Sequence, residues 1–136
     1  MRFAVSTALL ACLALPVAAL ADDLQPGLYT MTATTDLAGD KPSTETKCIT
    51  KKDIDSGLTQ LGIQKESGCK VADFKRGPNA VSYRVVCEED GQKQTSEVAA
   101  KFTSDTVDFR MQFQLDPKAR PNTMRIVGKR VGACKG

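Results

Sequence analysis

The fold is decided by the stretch Thr106-Val107-Asp108-Phe109-Arg110-Met111-Gln112-Phe113-Gln114-Leu115, in which polar and apolar residues alternate without a break. Successive side chains of a β-strand point to opposite faces of a sheet, so this alternation predicts a strand buried on one face and solvated on the other. The same pattern at residues 81–85, 98–102 and 124–126 predicts further strands, and residues 28–35 and 43–49 are interpreted as two more. We therefore predict an all-β fold, an antiparallel meander of about seven strands that forms a strongly curved sheet or an open barrel.

Turn sequences predict how neighbouring strands pair. Asp90-Gly91 is typical of a type I′ hairpin, and Ser104-Asp105 and the loop from Pro117 to Pro121 supply the next two reversals. On the apolar face the predicted pairs are Tyr83–Val98, Val81–Ala100, Phe102–Val107, Ala100–Phe109, Val98–Met111, Phe113–Met124, Met111–Ile126 and Phe109–Gly128. On the polar face they are Arg84–Glu97, Lys101–Asp108 and Asp108–Lys129. A slip by one residue would turn each apolar set toward solvent, so the agreement supports this pairing.

One short α-helix is predicted near residues 51–62. Its apolar stripe consists of Ile54, Leu58 and Leu61. Thr50 and Asp53 have the spacing of a capping box at its start, and Gly62 is suited to ending it.

Cysteine placement predicts two disulfides. Cys69 and Cys87 are equidistant from Pro78, so a hairpin centred there sets them opposite each other, within bonding range. Cys48 is then left to pair with Cys134. There is no His and no Cys-x-x-Cys in the sequence, so structural disulfides are favoured over metal or redox chemistry.

The N-terminus has the pattern of a secretory signal. Arg2 is followed by an apolar run and by Ala19-Leu20-Ala21, a small-x-small cleavage site. This predicts a signal peptide over residues 1–21 and a single disulfide-linked β domain over residues 22–136, with no transmembrane span. The predicted location is periplasmic or secreted, in a Gram-negative bacterium. A rival interpretation, a lipoprotein modified at Cys12 in Leu9-Leu10-Ala11-Cys12, is less favoured.

Charge and composition exclude several classes of function. The net charge of +3 is too small to indicate a nucleic-acid partner. The absence of His removes the commonest general base, and no catalytic motif is recognisable, so we expect a protein that is not an enzyme. No catalytic residue, cofactor or metal ligand is predicted.

The apolar face of the predicted sheet is the leading candidate for binding. The candidate ligand-facing residues are Tyr83, Phe102, Phe109, Met111 and Phe113, with Arg130 at the rim opposite Val107. They suit an apolar or amphipathic ligand such as a lipid, or an envelope protein, and the alternative is that they form a packed core. A second hypothesis is an inhibitor of an exported hydrolase that acts through the Pro117-to-Pro121 loop and Arg120.

Short segments along the chain carry a family resemblance. They are Pro26-Gly27-Leu28-Tyr29, Cys48-Ile49-Thr50, Gly68-Cys69-Lys70-Val71, Cys87, and Gly128-Lys129-Arg130-Val131-Gly132-Ala133-Cys134. In this order they resemble the exported bacterial proteins grouped as domain of unknown function 3617. Members usually have Trp at the position of Tyr29 and an acidic residue at that of Thr30. The resemblance implies an envelope location and no established activity.

Overall fold

A computed structural model describes residues 23–62 and 68–135 of the chain. Within them, seven strands form a single antiparallel sheet: β1 Gly27–Thr35, β2 Ser43–Ile49, β3 Cys69–Gly77, β4 Ala80–Glu89, β5 Gln92–Phe102, β6 Thr106–Phe113 and β7 Asn122–Gly132. Two short helices, α1 Lys51–Asp55 and α2 Thr59–Gly62, lie between β2 and β3. The predicted signal peptide and Cys12 lie outside the described residues.

The strand order is β2-β1-β7-β6-β5-β4-β3, which confirms the predicted antiparallel all-β fold. Strands β3 to β7 form a continuous meander, and the β1–β2 hairpin is added beyond β7. β2 and β3 are the two edges and do not pair with each other, so the sheet is open and not a closed barrel. The α1–α2 connection therefore carries the chain from one edge of the sheet to the other.

Alternate positions of the strands build the core on one face. Tyr29, Val107 and Phe109 are completely or almost completely buried, and Ile54 and Leu58 from the helical connection join them. Because one strand face supplies most of the core, the remaining strand positions form a separate polar face, as the alternation predicts.

The two-residue turns set the pairing as predicted. The β4–β5 register joins Tyr83 to Val98, and the β5–β6 register joins Ala100 to Phe109. Asp90 and Gly91 both have positive φ, at 51° and 75°, as a type I′ turn requires. The predicted polar pairs Arg84–Glu97 and Lys101–Asp108 are also confirmed.

The predicted β6–β7 register is wrong by two residues. The observed pairs are Phe113–Asn122, Met111–Met124, Phe109–Ile126, Asp108–Val127 and Val107–Gly128, so Lys129 faces Thr106 and not Asp108. The loop is tighter than predicted because the side-chain amide of Gln114 donates to the carbonyls of Pro117 and Ala119. A shift of two residues keeps each side chain on its predicted face.

Gly128 explains why the shifted register packs well. A Cβ atom at this position would meet the side chains of Met31 and Val107. The glycine thus lets β1, β6 and β7 approach closely in the core.

The predicted single helix is interrupted. The capping box is present, since the Thr50 hydroxyl accepts from the Asp53 amide at 3.2 Å and the Asp53 carboxylate accepts from the Thr50 amide at 2.8 Å. Gly57 and Leu58 have φ of 73° and 60°, which ends α1 and separates it from α2. Gly62, predicted as the residue after the helix, lies within α2.

The structure contains the disulfides Cys48–Cys134 and Cys69–Cys87, with Cα separations of 5.4 and 4.0 Å. Cys69 and Cys87 are directly opposed on β3 and β4, as the hairpin argument predicts. Farther along the hairpin the register shifts between Ala72 and Lys75. This bulge places two β3 residues, not one, opposite Tyr83.

Candidate functional site

Most of the predicted ligand-facing side chains belong to the packed core. Tyr83, Phe102 and Phe109 are 3%, 8% and 0% exposed, Met111 packs half-buried against them, and Phe113 is also half-buried. The Tyr83 hydroxyl donates to the Leu58 carbonyl at 3.3 Å, and burial raises its pKa. The apolar face was predicted either to bind a ligand or to form a packed core. These three buried side chains fit the packed core.

Arg130 lies apart from these aromatic residues. It is opposite Tyr29 of β1 and not opposite Val107, because the β6–β7 register differs from the predicted one. Its Nε donates to the Pro26 carbonyl at 3.0 Å. A Cβ on Gly27 would meet the Arg130 side chain and the Gly132 carbonyl, so only glycine fits there. The first and last of the sequence segments that carry the resemblance therefore pack against each other.

Tyr29 is part of this junction and is fully buried. Its hydroxyl donates to the Gln25 carbonyl at 2.6 Å. Burial raises the pKa of Tyr29, although the nearby Arg130 opposes the shift. The buried ring and the satisfied hydroxyl indicate that this residue stabilises the junction in the folded chain.

The Pro117-to-Pro121 loop is held by its own hydrogen bonds. Besides the bonds from Gln114, the Asp116 carboxylate accepts from the Lys118 amide at 2.9 Å. Arg120 is exposed, and so is Leu115, with 65% of its surface accessible. The loop is thus a braced projection with an exposed cation, and the exposed apolar side chain of Leu115 lies just before it.

The polar face holds a groove that the sequence reasoning missed. A depression of about 830 Å³ lies beside the β3 bulge, and a second of about 340 Å³ shares Lys75, Ser82 and Ala99 with it. We call the two together the outer groove. A signal was present in the sequence, because short residues occupy polar-face positions of β4 and β5 among long charged ones.

Register explains the shape of the outer groove. Ser82, Ala99 and Arg110 are successive cross-strand neighbours, and Ala80 is two residues before Ser82. The next row across the sheet consists of Arg84, Glu97, Gln112 and Thr123. The short side chains Ala80, Ser82 and Ala99 form a low floor, and the longer side chains around them form the walls. Phe74, 43% exposed, borders the groove at β3, and its ring stacks on the core residue Tyr83 with ring centroids 6.1 Å apart.

The described lining of the outer groove is more basic than acidic. Its charged residues are Lys75, Arg76, Arg84, Lys101 and Arg110 against Asp73 and Glu97. Arg84 forms an ion pair with Asp73, and Arg76 donates to the carbonyls of Ile54 and Asp55 at 3.0 and 3.3 Å. These contacts engage two of the five basic side chains, Arg84 and Arg76.

Arg110 keeps most of its hydrogen-bonding capacity. Its Nε lies 3.6 Å from Asp108, but Arg125 donates to both carboxylate oxygens of Asp108 at 2.9 and 2.7 Å. The Arg125 hydrogen bonds hold the pKa of Asp108 below its usual value. With Asp108 engaged by Arg125, the exposed guanidinium of Arg110 is available to an anion entering the outer groove.

Residues 23–62 and 68–135 contain neither a cluster of metal ligands nor a membrane-spanning helix. No group of three or more Cys, Asp or Glu side chains in these ranges is arranged to hold a metal ion. No helix in the same ranges is long and apolar enough to cross a membrane.

Comparison with known proteins finds a family match that covers nearly all of the described residues. No curated protein and no solved structure matches the chain. A family described as protein of unknown function (DUF3617) matches residues 24–134, which run from the residues before β1 to the cysteine that closes the Cys48–Cys134 disulfide. The resemblance noted from short sequence segments is thereby confirmed, and the chain belongs to the DUF3617 family of proteins of unknown function.

Proposed function

We propose that this protein is an exported, non-enzymatic binding protein whose outer groove takes an amphipathic ligand with an anionic group. The observation that carries the proposal is the outer groove itself, a depression with a small-residue floor and an excess of basic side chains. The core face offers less to a ligand, because its central aromatic residues are already buried.

The chemistry of the groove fits such a ligand in two parts. Arg110 and Lys75 can donate charge-assisted hydrogen bonds to a phosphate, sulfate or carboxylate group. The alanines of the floor can contact a short apolar segment. The mixed lining supports an amphipathic ligand over a purely apolar one.

The remaining features are consistent with a periplasmic or secreted binding protein. The disulfides Cys48–Cys134 and Cys69–Cys87 are of the kind that persists in oxidising compartments. The sequence contains no His, so acid–base catalysis would have to use other groups. We therefore place the activity in binding and not in chemical conversion.

A matched pair of probes tests the proposal. Dodecyl phosphate and dodecyl maltoside carry the same chain with an anionic or a neutral head group, and titration calorimetry below their micelle concentrations measures binding of each. Arg110→Gln is expected to weaken dodecyl phosphate by about tenfold and to leave the maltoside unchanged, since the lost contact is charge-assisted. Ala99→Leu, which fills the floor, is expected to weaken both.

Lys118→Gln, in the loop away from the outer groove, is the control and should bind both probes as the wild type does. The proposal fails if dodecyl phosphate does not bind, or if it binds equally well to the wild type and to Arg110→Gln.

A second candidate function is inhibition of an exported hydrolase, favoured by the braced projection of the Pro117-to-Pro121 loop. A rigid loop loses little conformational entropy when it enters an active site. Inhibition assays against hydrolases fractionated from an envelope extract would test it. Arg120→Ala should abolish any inhibition while Lys129→Ala, at the opposite end of β7 from the loop, retains it, and inhibition unaffected by Arg120→Ala would exclude the loop.

A further inference from the structure

The free edge of β2 is the feature that the proposed function does not use. β2 pairs with β1 from Ser43 to Ile49 without any register shift, and its other side has no partner strand in the described part of the chain. Every β2 side chain except that of Ile49 is exposed. A regular edge of this kind presents unpaired backbone groups that can pair with another strand.

Charges on β2 are arranged about its midpoint. Glu45 and Lys47 flank Thr46 on either side and lie on the same face of the strand. Neither side chain has an ion-pair partner within residues 23–62 and 68–135. Two opposite charges symmetric about one residue are what a self-complementary antiparallel pairing needs.

We propose that two copies of this chain pair through β2 in an antiparallel, two-fold symmetric dimer centred on Thr46. In this register Glu45 of each copy faces Lys47 of the other, and Thr44 of each faces Cys48 of the other. The sheets of the two copies then join into one continuous sheet. In a two-fold interface each contact occurs twice, so both charged pairs form together.

Symmetry leaves few alternatives to this register. The core faces of both copies lie on the same side of the joined sheet only if one residue directly faces its own copy at the two-fold axis. An axis through Glu45 would set two carboxylates against each other, and one through Lys47 would set two ammonium groups against each other. Like charges directly opposite are destabilising, so the register centred on Thr46 is favoured.

Polar residues beside the axis fit the same arrangement. Thr46 would face its own copy, a Thr–Thr pair of the kind that stabilises antiparallel strands. Thr46 is already paired with Thr30 of β1, so a row formed by Thr30 and Thr46 of each copy would cross the interface. Cys48 is held in its disulfide and takes part only through its backbone.

Charge-swap variants test the dimer on the purified, disulfide-bonded protein. Sedimentation across a concentration series measures the dissociation constant. Lys47→Glu and Glu45→Lys each replace two attractive pairs by two repulsive ones, and each is expected to raise the constant by about tenfold or more. The double variant Glu45→Lys/Lys47→Glu restores opposite charges and should recover the wild-type constant.

Mixing the two single variants gives the sharpest readout. A copy with two acidic residues and a copy with two basic residues are complementary in this register, so the mixture should form a heterodimer although each variant alone is monomeric. All these side chains are exposed, so a thermal unfolding midpoint close to that of the wild type serves as the folding control.

A wild type that stays monomeric at every concentration overturns the proposal. So does a dimer that persists in both single variants, which would place the interface elsewhere. Because the outer groove lies on β3 to β7 and not on β2, failure of the dimer leaves ligand binding there unaffected, and the reverse also holds.

Discussion

The two edges of the sheet are built in opposite ways. β3 is bulged at Asp73 and Phe74, is bonded to its neighbour through Cys69, and is attached by Arg76 to the carbonyls of α1. β2 pairs with β1 along its whole length without a register shift, and within the described residues no strand pairs with its outer side. Bulges and covering elements are common means of preventing strand addition, so β3 is protected and β2 is open.

The two edges of the sheet thus differ in how well they are protected against pairing with another strand. The protected edge borders the outer groove, where the bulge helps to position Asp73 and Phe74. The open edge carries symmetric charges. A protected edge suits a fixed ligand-binding surface, and an open, regular edge suits pairing with a second chain.

The disulfides give the largest expected effects on the stability of the two edges. Cys48–Cys134 anchors the β2 side across a sequence separation of 86, whereas Cys69–Cys87 closes only 18 on the β3 side. In the chain-entropy description, removing the first costs about 4.5 kcal/mol and removing the second about 3 kcal/mol. Denaturant unfolding of the two double Cys→Ala variants measures this, and equal losses would show that loop length does not set the stabilisation.

The glycines before each edge strand give the next largest effects. Gly57 has φ of 73°, and a Cβ there would meet the ring of Phe74, while Gly39, with φ of 87°, has open space around it. Gly57→Ala should cost about 3 kcal/mol from strain and overpacking, and Gly39→Ala about 1 kcal/mol from strain alone. Thermal unfolding compares them, and a larger loss at Gly39 would contradict the contact between the connection and β3.

Arg76 tests whether the helical connection holds the β3 edge. Arg76→Ala removes the donors to Ile54 and Asp55 and should lower the free energy of unfolding by about 1 kcal/mol. Hydrogen exchange should speed up in β3 amides and not in those of β2. Lys47→Ala on the open edge is the matched variant, with an expected stability change under about 0.5 kcal/mol. Faster exchange in β2 after Arg76→Ala would mean that the contact is not local.

The smallest effect lies at the centre of the sheet and gives a reference for both edges. Arg125 lowers the pKa of folded Asp108 below the 3.8 of an ordinary aspartate. Its stabilisation is therefore complete above the unfolded pKa and is lost as the pH falls through the lower folded pKa. Asp108→Asn should be slightly less stable than the wild type near neutral pH and equal to it in strong acid. Urea midpoints across this range test the sign, and a difference that grows on acidification would contradict it.

The parts of the fold that follow from local chemistry were predictable. A two-residue turn such as Asp90-Gly91 fixes the register of its strands, and the apolar alternation of β6 agrees with the next turn. The loop of residues 114–121 has no such fixed geometry. Its compact form depends on side-chain bonds from Gln114, which the sequence pattern does not reveal.

Long-range features were harder to predict. No turn links β1 to β7, so their pairing depends on packing such as that of Gly27 against Arg130. Gly57 lies inside the single helix predicted over residues 51–62, and its positive φ divides that helix. The outer groove was not predicted because the candidate binding residues were chosen among apolar side chains, and these lie on the core face. Short side chains such as Ala99 leave a depression only when the register brings them together.

The pairing of β1 with β7 has a consequence for how the chain reaches its folded state. Thr30 and Lys129 are neighbours in the sheet although almost a hundred residues separate them in sequence. Strands β3 to β7 can pair through successive hairpins, but β1 and β2 can join the sheet only after β7 is in place. Closing so long a loop slows folding, so we expect a lasting intermediate in which the meander is formed and the apolar face of β1 is still exposed. In that interval the chain is most open to aggregation and has most need of a chaperone.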